Sequence, residues 1–327
     1  MASAAATTKT TAPGPSRVRR WFRGFRERET WVAYLFISPW LFGFIVLTLG
    51  PMLFSLYYSF TNYGLQQIAG LEPTKSVGFK NYHQLITDPK VTASLKNTFT
   101  YTVMMVPGRI IFALFLAMML HRIGRWAKTS GIFRTIFYLP HITPPVAIGV
   151  MLIFLFNGRV GIVNRGLSLI GIDGPFWTTD PNWIKPSIAI MDIWACGGTM
   201  VILLAALYAV PQQLYEAAAM DGAPGWRRFK DITLPMISPA LFFSFIILTL
   251  YGLQQFAQAY TAYFGAGGTQ PEAALMFSVY LFRNAFEYFN MGFASAMAWL
   301  LFAISMVVTL LNIGVSRRFV FYQGSQR

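Results

Sequence analysis

Charge is scarce in this chain. Asp, Glu, Lys and Arg together make up 12% of its 327 residues, about half the share of an ordinary soluble domain. One cysteine (Cys196) and three histidines (His83, His121 and His141) are all it offers a disulfide or a soft metal. A lone thiol excludes a disulfide framework, and the histidines share no ligand-like spacing, so no metal site is expected. No Gly-x-x-x-x-Gly-Lys-Ser/Thr run occurs anywhere, so the chain has no phosphate loop with which to cradle a nucleotide itself. The apolar segments hold neither a His/Glu metal pattern nor a serine–histidine arrangement, which argues against an intramembrane enzyme.

What is abundant is apolar: 55% of the residues are hydrophobic and 17% aromatic. A bilayer span needs about 20 mostly apolar residues, and six segments qualify, at roughly 31–58, 98–120, 131–156, 187–209, 235–260 and 292–315. Open backbone polar groups are not tolerated in lipid, so each segment reads as a helix. The expected fold is all-α, a polytopic bundle of six transmembrane helices. Residues 1–30 form a basic tail, 31–316 the six-span domain and 317–327 a second tail. Pro39, Pro51, Pro107, Pro144, Pro145 and Pro239 mark kinks or breaks within the spans.

The net charge of +14 would suggest nucleic acid in a soluble protein. Here its distribution matters more, because Lys and Arg orient a membrane chain. Seventeen of the 26 Lys and Arg lie in 1–30, 121–134, 211–233 and the C-terminal tail, and eight lie in the other connections. The richer side is cytoplasmic, so both termini are expected there and no nucleic-acid partner is called for. Val18, Trp21, Phe22 and Phe25 recur at helical spacing among Arg17, Arg19, Arg20, Arg23 and Arg26. That pattern suits either an amphipathic helix on an anionic membrane surface or a disordered basic tail that only enforces orientation.

Between the fourth and fifth spans the chain reads Pro211-Gln-Gln-Leu-Tyr-Glu216-Ala217-Ala218-Ala-Met-Asp221-Gly222-Ala223-Pro224, and later Ile232-Thr233-Leu234-Pro235. Pro211 suits the first turn of a helix, residues 212–221 are mostly good helix formers, and Gly222 offers a left-handed cap with Pro224 just beyond. A cytoplasmic helix of about ten residues is expected. Leu214, Ala217, Ala218 and Asp221 share one face, where small side chains permit close approach. Asp221 sits at the negative end of the macrodipole, a conflict that a partner's cation would resolve unless Asp221 caps the next turn. From the residues alone, a docking helix and an ordinary surface connector are both open.

This loop resembles the full EAA loop of bacterial ABC-importer permeases: Glu216-Ala217-Ala218, Gly222 a helical turn later, and the closing Ile232-x-Leu234-Pro235. Asn81-Tyr82, Asn97-Thr98, Arg134 with Leu139-Pro140, Gly161-Ile-Val-Asn164, Met291-Gly-Phe-Ala-Ser295 and Arg317-Arg318 are similar to MalF-type permeases of carbohydrate importers. The resemblance runs from about residue 31 to the end and leaves the basic extension outside it. It implies the type I ABC importer permease fold in a bacterial cytoplasmic membrane, and import of a di- or oligosaccharide. It also implies a second, MalG-type permease, two copies of an ABC ATPase subunit that bind ATP and Mg²⁺, and an extracytoplasmic binding protein. This chain itself would bind no cofactor. Carried over by position, Glu216 and Asp221 would make ionic contacts with the ATPase subunit, Ala217, Ala218 and Ala223 would give close packing, and Gly222 the turn.

A substrate path is sought among polar residues inside the spans, which are functional by default. Arg109 either faces the path or braces the bundle, with Asp192 as its best partner. Tyr251, Gln254, Gln255 and Gln258 recur at i, i+3, i+4 and i+7, an amide face suited either to hydroxyl-rich ligands or to interhelical hydrogen bonds. Trp194 and Thr199 would contribute from across the cavity. The long loops 61–97, 157–186 and 261–291 would meet the binding protein, and Phe277 to Phe293 would pack on the bundle as a short helix, its charges arguing against a seventh span. Two alternatives remain open on sequence: the same architecture carrying glycerol-3-phosphate or a phosphodiester, and a secondary carrier driven by an ion gradient, for which no inverted repeat is visible.

Overall fold

A computed structural model describes residues 28–124, 130–265 and 268–319. The basic N-terminal amphipathic segment (Val18, Trp21, Phe22 and Phe25) lies outside the described residues, as does the end of the chain beyond Phe319. Two units are formed, dividing after Tyr57. The first holds α1 (Arg28–Gly43) and a π-helical stretch, Phe44–Leu49, which leads into α2 (Gly50–Ser59). Together these make one apolar span, Trp31–Ser59, with Pro39 inside α1 and Pro51 in the first turn of α2.

The second unit is built around α4 (Pro89–Gly124), which follows the short amphipathic α3 (Lys80–Thr87). α4 packs against α7 (Pro181–Trp194), α8 (Gly197–Ala209) and α10 (Leu234–Leu253). Between them in sequence come α5 (Ser130–Ile142) and α6 (Pro145–Leu155), and the chain ends in α12 (Met291–Phe319). Among the described residues there is no strand, only an isolated bridge from Thr61 to Ser76.

The described residues hold four to six candidate spans, six if each of two bent helix pairs is one span. Four helical runs are long and apolar enough to cross a membrane unaided: Trp31–Ser59, Pro89–Gly124, Gly225–Phe264 and Met291–Gly314. The other two are pairs: α5 and α6 meet at 94°, α7 and α8 at 48°. Proline chemistry accounts for the sharper bend. Pro144 is extended (ψ 138°) ahead of Pro145, as expected because a residue before proline is kept out of the helical region. The second bend falls at Ala195, just before Gly197-Gly198, a small-residue pair of the kind that kinks helices.

Three expected boundaries shift. Helix α4 begins at Pro89 rather than near 98, α7 at Pro181 rather than 187, and the fifth run at Gly225 rather than 235. In each case polar helical turns extend the apolar segment, and a hydropathy criterion stops where apolarity stops. Pro107 and Pro239 sit inside continuous helices, α4 and α10.

Two apolar clusters fill the second unit. One gathers Tyr101, Met105, Ile184, Ile188, Phe277 and Phe293, the other Ala113, Leu116, Leu120, Leu203, Leu207 and Ile237. Along α4 the first ends at Val106 and the second begins at Ala113. Arg109 lies between them and is buried. Close approach is secured there by Gly108, where a Cβ would stand 2.5 Å from Ile193 Cδ1 of α7.

Polar residues from the sequence motifs tie the loops to this bundle. Asn81 Nδ2 donates to the carbonyls of Ser59 and Thr61. Asn97 Nδ2 donates to those of Glu272 and Leu275, and Thr98 Oγ1 accepts from the Phe277 amide. Asn164 Nδ2 donates to the carbonyls of Gly158, Gly174 and Pro175, while its Oδ1 accepts from Trp177 Nε1. The segment after residue 276 forms α11 (Phe277–Phe282), which runs into a π-helical turn, Arg283–Glu287, where Arg283 Nε reaches Glu287 Oε2 at 2.7 Å. It packs on α4 and α12 as a short helix, as its charges suggested.

Candidate functional site

Three helix interruptions meet at one place in the second unit. Helix α5 stops at Ile142, α7 at Trp194, and α10 at Leu253 before the chain resumes helical form at Ala257. Broken helices at membrane depth are tolerated where they are buried in protein or line a water-filled cavity. Here they border a cavity of about 330 Å³. Its polar lining includes Arg109, Asp192, Thr199, Tyr251 and Gln258.

Asp192 is the hub. Its carboxylate is 1% exposed and accepts from Tyr101 Oη at 2.5 Å, Gln258 Nε2 at 2.9 Å and Tyr251 Oη at 3.3 Å. Gln255 Nε2 stands at 3.5 Å and also donates to Gln258 Oε1. Arg109 supplies the counter-charge, its Nη1 lying 3.8 Å from Asp192 Oδ1. Its Nη2 donates at 3.0 Å to the carbonyl of Ala195, at the break after α7. The guanidinium carbon also lies 5.6 Å from the centre of the Tyr251 ring, within cation–π range. A buried carboxylate needs both a counter-ion and hydrogen bonds to offset desolvation, and Asp192 has both.

Arg109 and Asp192 come together although 83 positions separate them in the sequence. Thr199, Tyr251 and Gln258 also reach the cavity. Gln255 is buried on Asp192 rather than in the lining, so its role is the interhelical hydrogen bond. Two expected residues fall elsewhere. Gln254 is exposed, because α10 ends one residue before it and the 3.6-residue repeat does not carry through to Gln258. Trp194 is 40% exposed and outside the lining, since the α7–α8 bend follows directly after it. Tyr101, His141 and Thr143 were missed by sequence reasoning. Tyr101 reads as one more aromatic of an apolar helix, and only the break at Thr143–Pro144 turns His141 and Thr143 toward Thr199 and Tyr251.

The second feature is the loop after α8. Residues Gln212–Met220 form α9, with Pro211 at the N-cap instead of the first turn. Its end is a Schellman closure: the Ala223 amide bonds the Ala218 carbonyl at 2.9 Å and the Gly222 amide the Ala219 carbonyl at 3.1 Å. Gly222 has φ +71°, and nothing lies within 4 Å of where a Cβ would point. No side chain caps the following turn, Gly225–Arg228, so Asp221 does not serve it.

Helix α9 has no buried residue. Glu216, Ala217, Asp221 and Leu214 are exposed, Ala218 and Ala223 half-buried, and Met220 is 89% exposed. Glu216 Oε1 accepts from Gln212 Nε2 at 2.8 Å, an i,i+4 contact between two exposed side chains. Tyr215 is the anchor, its hydroxyl 2.9 Å from Thr233 Oγ1 at the foot of α10. The helix is thus pinned at one side chain and open along its small-residue face.

Comparison with known proteins agrees with this anatomy. Residues 109–320 match the family model described as the binding-protein-dependent transport system inner membrane component. The chain is 38% identical over 303 residues to the probable ABC transporter permease protein YesP of Bacillus subtilis, covering 92% of this chain and 95% of that protein. It is 34% identical over 289 residues to the lactose transport system permease protein LacF of Rhizobium radiobacter, covering 87% and 93%. Among solved structures, a chain of a bacterial alginate ABC transporter, crystallised with an alginate pentasaccharide-bound periplasmic protein, superposes with TM-score 0.75 at 25% identity, over 92% of this chain and 98% of that one. The chain therefore belongs to the binding-protein-dependent transport inner membrane component family and is a multi-pass permease subunit of an ABC importer, with the type I importer permease fold.

Proposed function

We propose that this permease passes a di- or oligosaccharide through the cavity beside Arg109 and Asp192, and that ATP hydrolysis in partner subunits drives it through α9. The observation that carries the coupling role is the helix Gln212–Met220, closed by Schellman hydrogen bonds and exposed at Ala217, Glu216 and Asp221. Two ABC ATPase subunits holding ATP and Mg²⁺ would receive it, with Glu216 and Asp221 meeting cations, Ala217, Ala218 and Ala223 giving closeness and Gly222 the turn. A second, MalG-type permease would complete the path and an extracytoplasmic binding protein would deliver the sugar. Both termini would lie in the cytoplasm, on the Lys/Arg-rich side, flanking a permease domain at 31–316.

Neutral, hydroxyl-rich cargo is favoured by the cavity's chemistry. Thr199, Tyr251 and Gln258 donate and accept along its wall. Arg109 is charge-compensated by Asp192 and bonded to the Ala195 carbonyl, so it offers no free cation to glycerol-3-phosphate or a phosphodiester. The relative that transports lactose points the same way, whereas the similar alginate transporter carries an acidic polysaccharide. Reconstitution with the partner subunits in proteoliposomes tests the reading, using labelled oligosaccharides and labelled glycerol-3-phosphate. ATP-dependent uptake of an oligosaccharide supports it; uptake of glycerol-3-phosphate alone, or uptake without ATP, overturns it.

A further inference from the structure

A second cavity, of about 280 Å³, lies behind the coupling helix, between the C-terminal ends of α4 and α8 and the segment that leads into α10. Three of its lining residues are basic: His121 and Arg122 from the last turn of α4, and Arg228 from the turn after α9. No Asp or Glu lines it. Asp231, the nearby carboxylate in sequence, pairs instead with the exposed Arg227 at 3.4 Å. The Arg228 Nε is buried without a hydrogen-bond partner. A further cation is linked to His121 through Tyr208: Arg134 Nη2 bonds Tyr208 Oη at 2.8 Å, and the Tyr208 ring lies 4.9 Å from that of His121.

Arg228 keeps a buried, unpaired Nε in a pocket that the exposed Arg122 also lines and no carboxylate enters, an arrangement that an anion would complete, because an unpaired buried donor forfeits its solvation. The remaining wall is apolar, formed by Met118, Leu207 and Phe229. A cation cluster beside apolar side chains at the end of membrane helices matches an amphiphile with an anionic head and a hydrocarbon tail better than it matches a free ion. Basic pockets between transmembrane helices on the cytoplasmic side are of the kind that bind anionic lipid headgroups.

We propose that this pocket holds the phosphate headgroup of an anionic phospholipid, with Arg122 and Arg228 on the phosphate and Met118, Leu207 and Phe229 along the chain. The site shares Tyr215 and Thr233 with the anchor of α9, so an occupying headgroup braces the coupling helix against α4. This placement on the inner leaflet rests on the topology proposed above.

The test uses the full-length chain extracted with its associated subunits, stripped of lipid in detergent and offered equal phosphatidylglycerol and phosphatidylcholine, with retained lipid counted by native mass spectrometry. The wild type is expected to retain phosphatidylglycerol in preference. Arg122→Gln, at an exposed side chain, should weaken that preference about fivefold, and adding Arg228→Gln about fivefold more; Arg228→Lys should keep most of it. Equal retention by wild type and the Arg122→Gln variant overturns the proposal. So does displacement by millimolar inorganic phosphate, which would make the pocket a free-anion site. A cross-link from Arg228→Cys to a carboxylate-bearing segment of a neighbouring subunit would also overturn it, since the anion would then be protein. Retention in detergent is blind to membrane sidedness and to docking of α9, so either reading can fail without the other.

Discussion

Removing the carboxylate of Asp192 should hurt more than removing the guanidinium of Arg109. In Asp192→Asn the protein keeps a buried Arg109 whose remaining acceptor is the Ala195 carbonyl, and a guanidinium cannot shed its proton to escape. The new amide also presents donors where Tyr101, Tyr251 and Gln258 already donate. Breaking a buried pair in this way costs about 3–5 kcal/mol. In Arg109→Gln the carboxyl keeps its two short hydrogen bonds, from Tyr101 and Gln258, and a carboxyl can neutralise itself by binding a proton. That change should cost about 1–3 kcal/mol. The double replacement should be more stable than Asp192→Asn alone, because it removes the stranded cation. Thermal unfolding of the detergent-solubilised protein reads these differences, at about 2 °C per kcal/mol or less for a chain longer than about 250 residues. Equal shifts for the two single variants, or a double variant worse than Asp192→Asn, would refute the hub assignment.

Further outcomes follow from the loops. Asn164→Ala removes three donated bonds and the one accepted from Trp177, and should cost about 2–4 kcal/mol at about 1 kcal/mol per bond, read in the same melt. Tyr280, outside the spans, has its hydroxyl pushed up to about 12 by burial and by its bond to Asp88. The folded state therefore holds this proton when the unfolded chain has released it, so its contribution is intact below pH 10 and is lost as pH rises from about 10 to 12. Tyr280→Phe should flatten that part of the stability–pH curve, and an unchanged slope would refute it. Gln258→Leu should lower sugar uptake, whereas Gln254→Leu, at an exposed position, should leave it unchanged.

Much of this was legible in the residues themselves. The six apolar runs and the cap at Gly222 follow from rules that act locally, and the cost of burying a lone charge named Asp192 as the best partner for Arg109 without fixing that the two pair. What escaped was geometry set by helix interruptions. A period-3.6 projection assumes an unbroken helix, so it put Gln254 on the polar face and could not see that α10 ends at Leu253. Pro144 and Pro145 signalled a break, but not that its 94° bend would bring His141 and Thr143 to the cavity. Tyr101 lies one turn before Met105 in an apolar run, and nothing near it in sequence announces a partner 91 positions away.

The coupling role of α9 meets its most direct test at Gly222. Its φ of +71° and the open space around its Cβ direction mean that a side chain there meets backbone strain and no clash, at about 1–2 kcal/mol for a bulky residue and less for asparagine. The Schellman closure should loosen while the buried bundle, which α9 does not enter, stays assembled. In proteoliposomes containing the partner subunits, Gly222→Leu should therefore retain ATP hydrolysis but lose sugar uptake, with Gly222→Asn close to wild type. Wild-type uptake per ATP hydrolysed by the leucine variant would contradict the account.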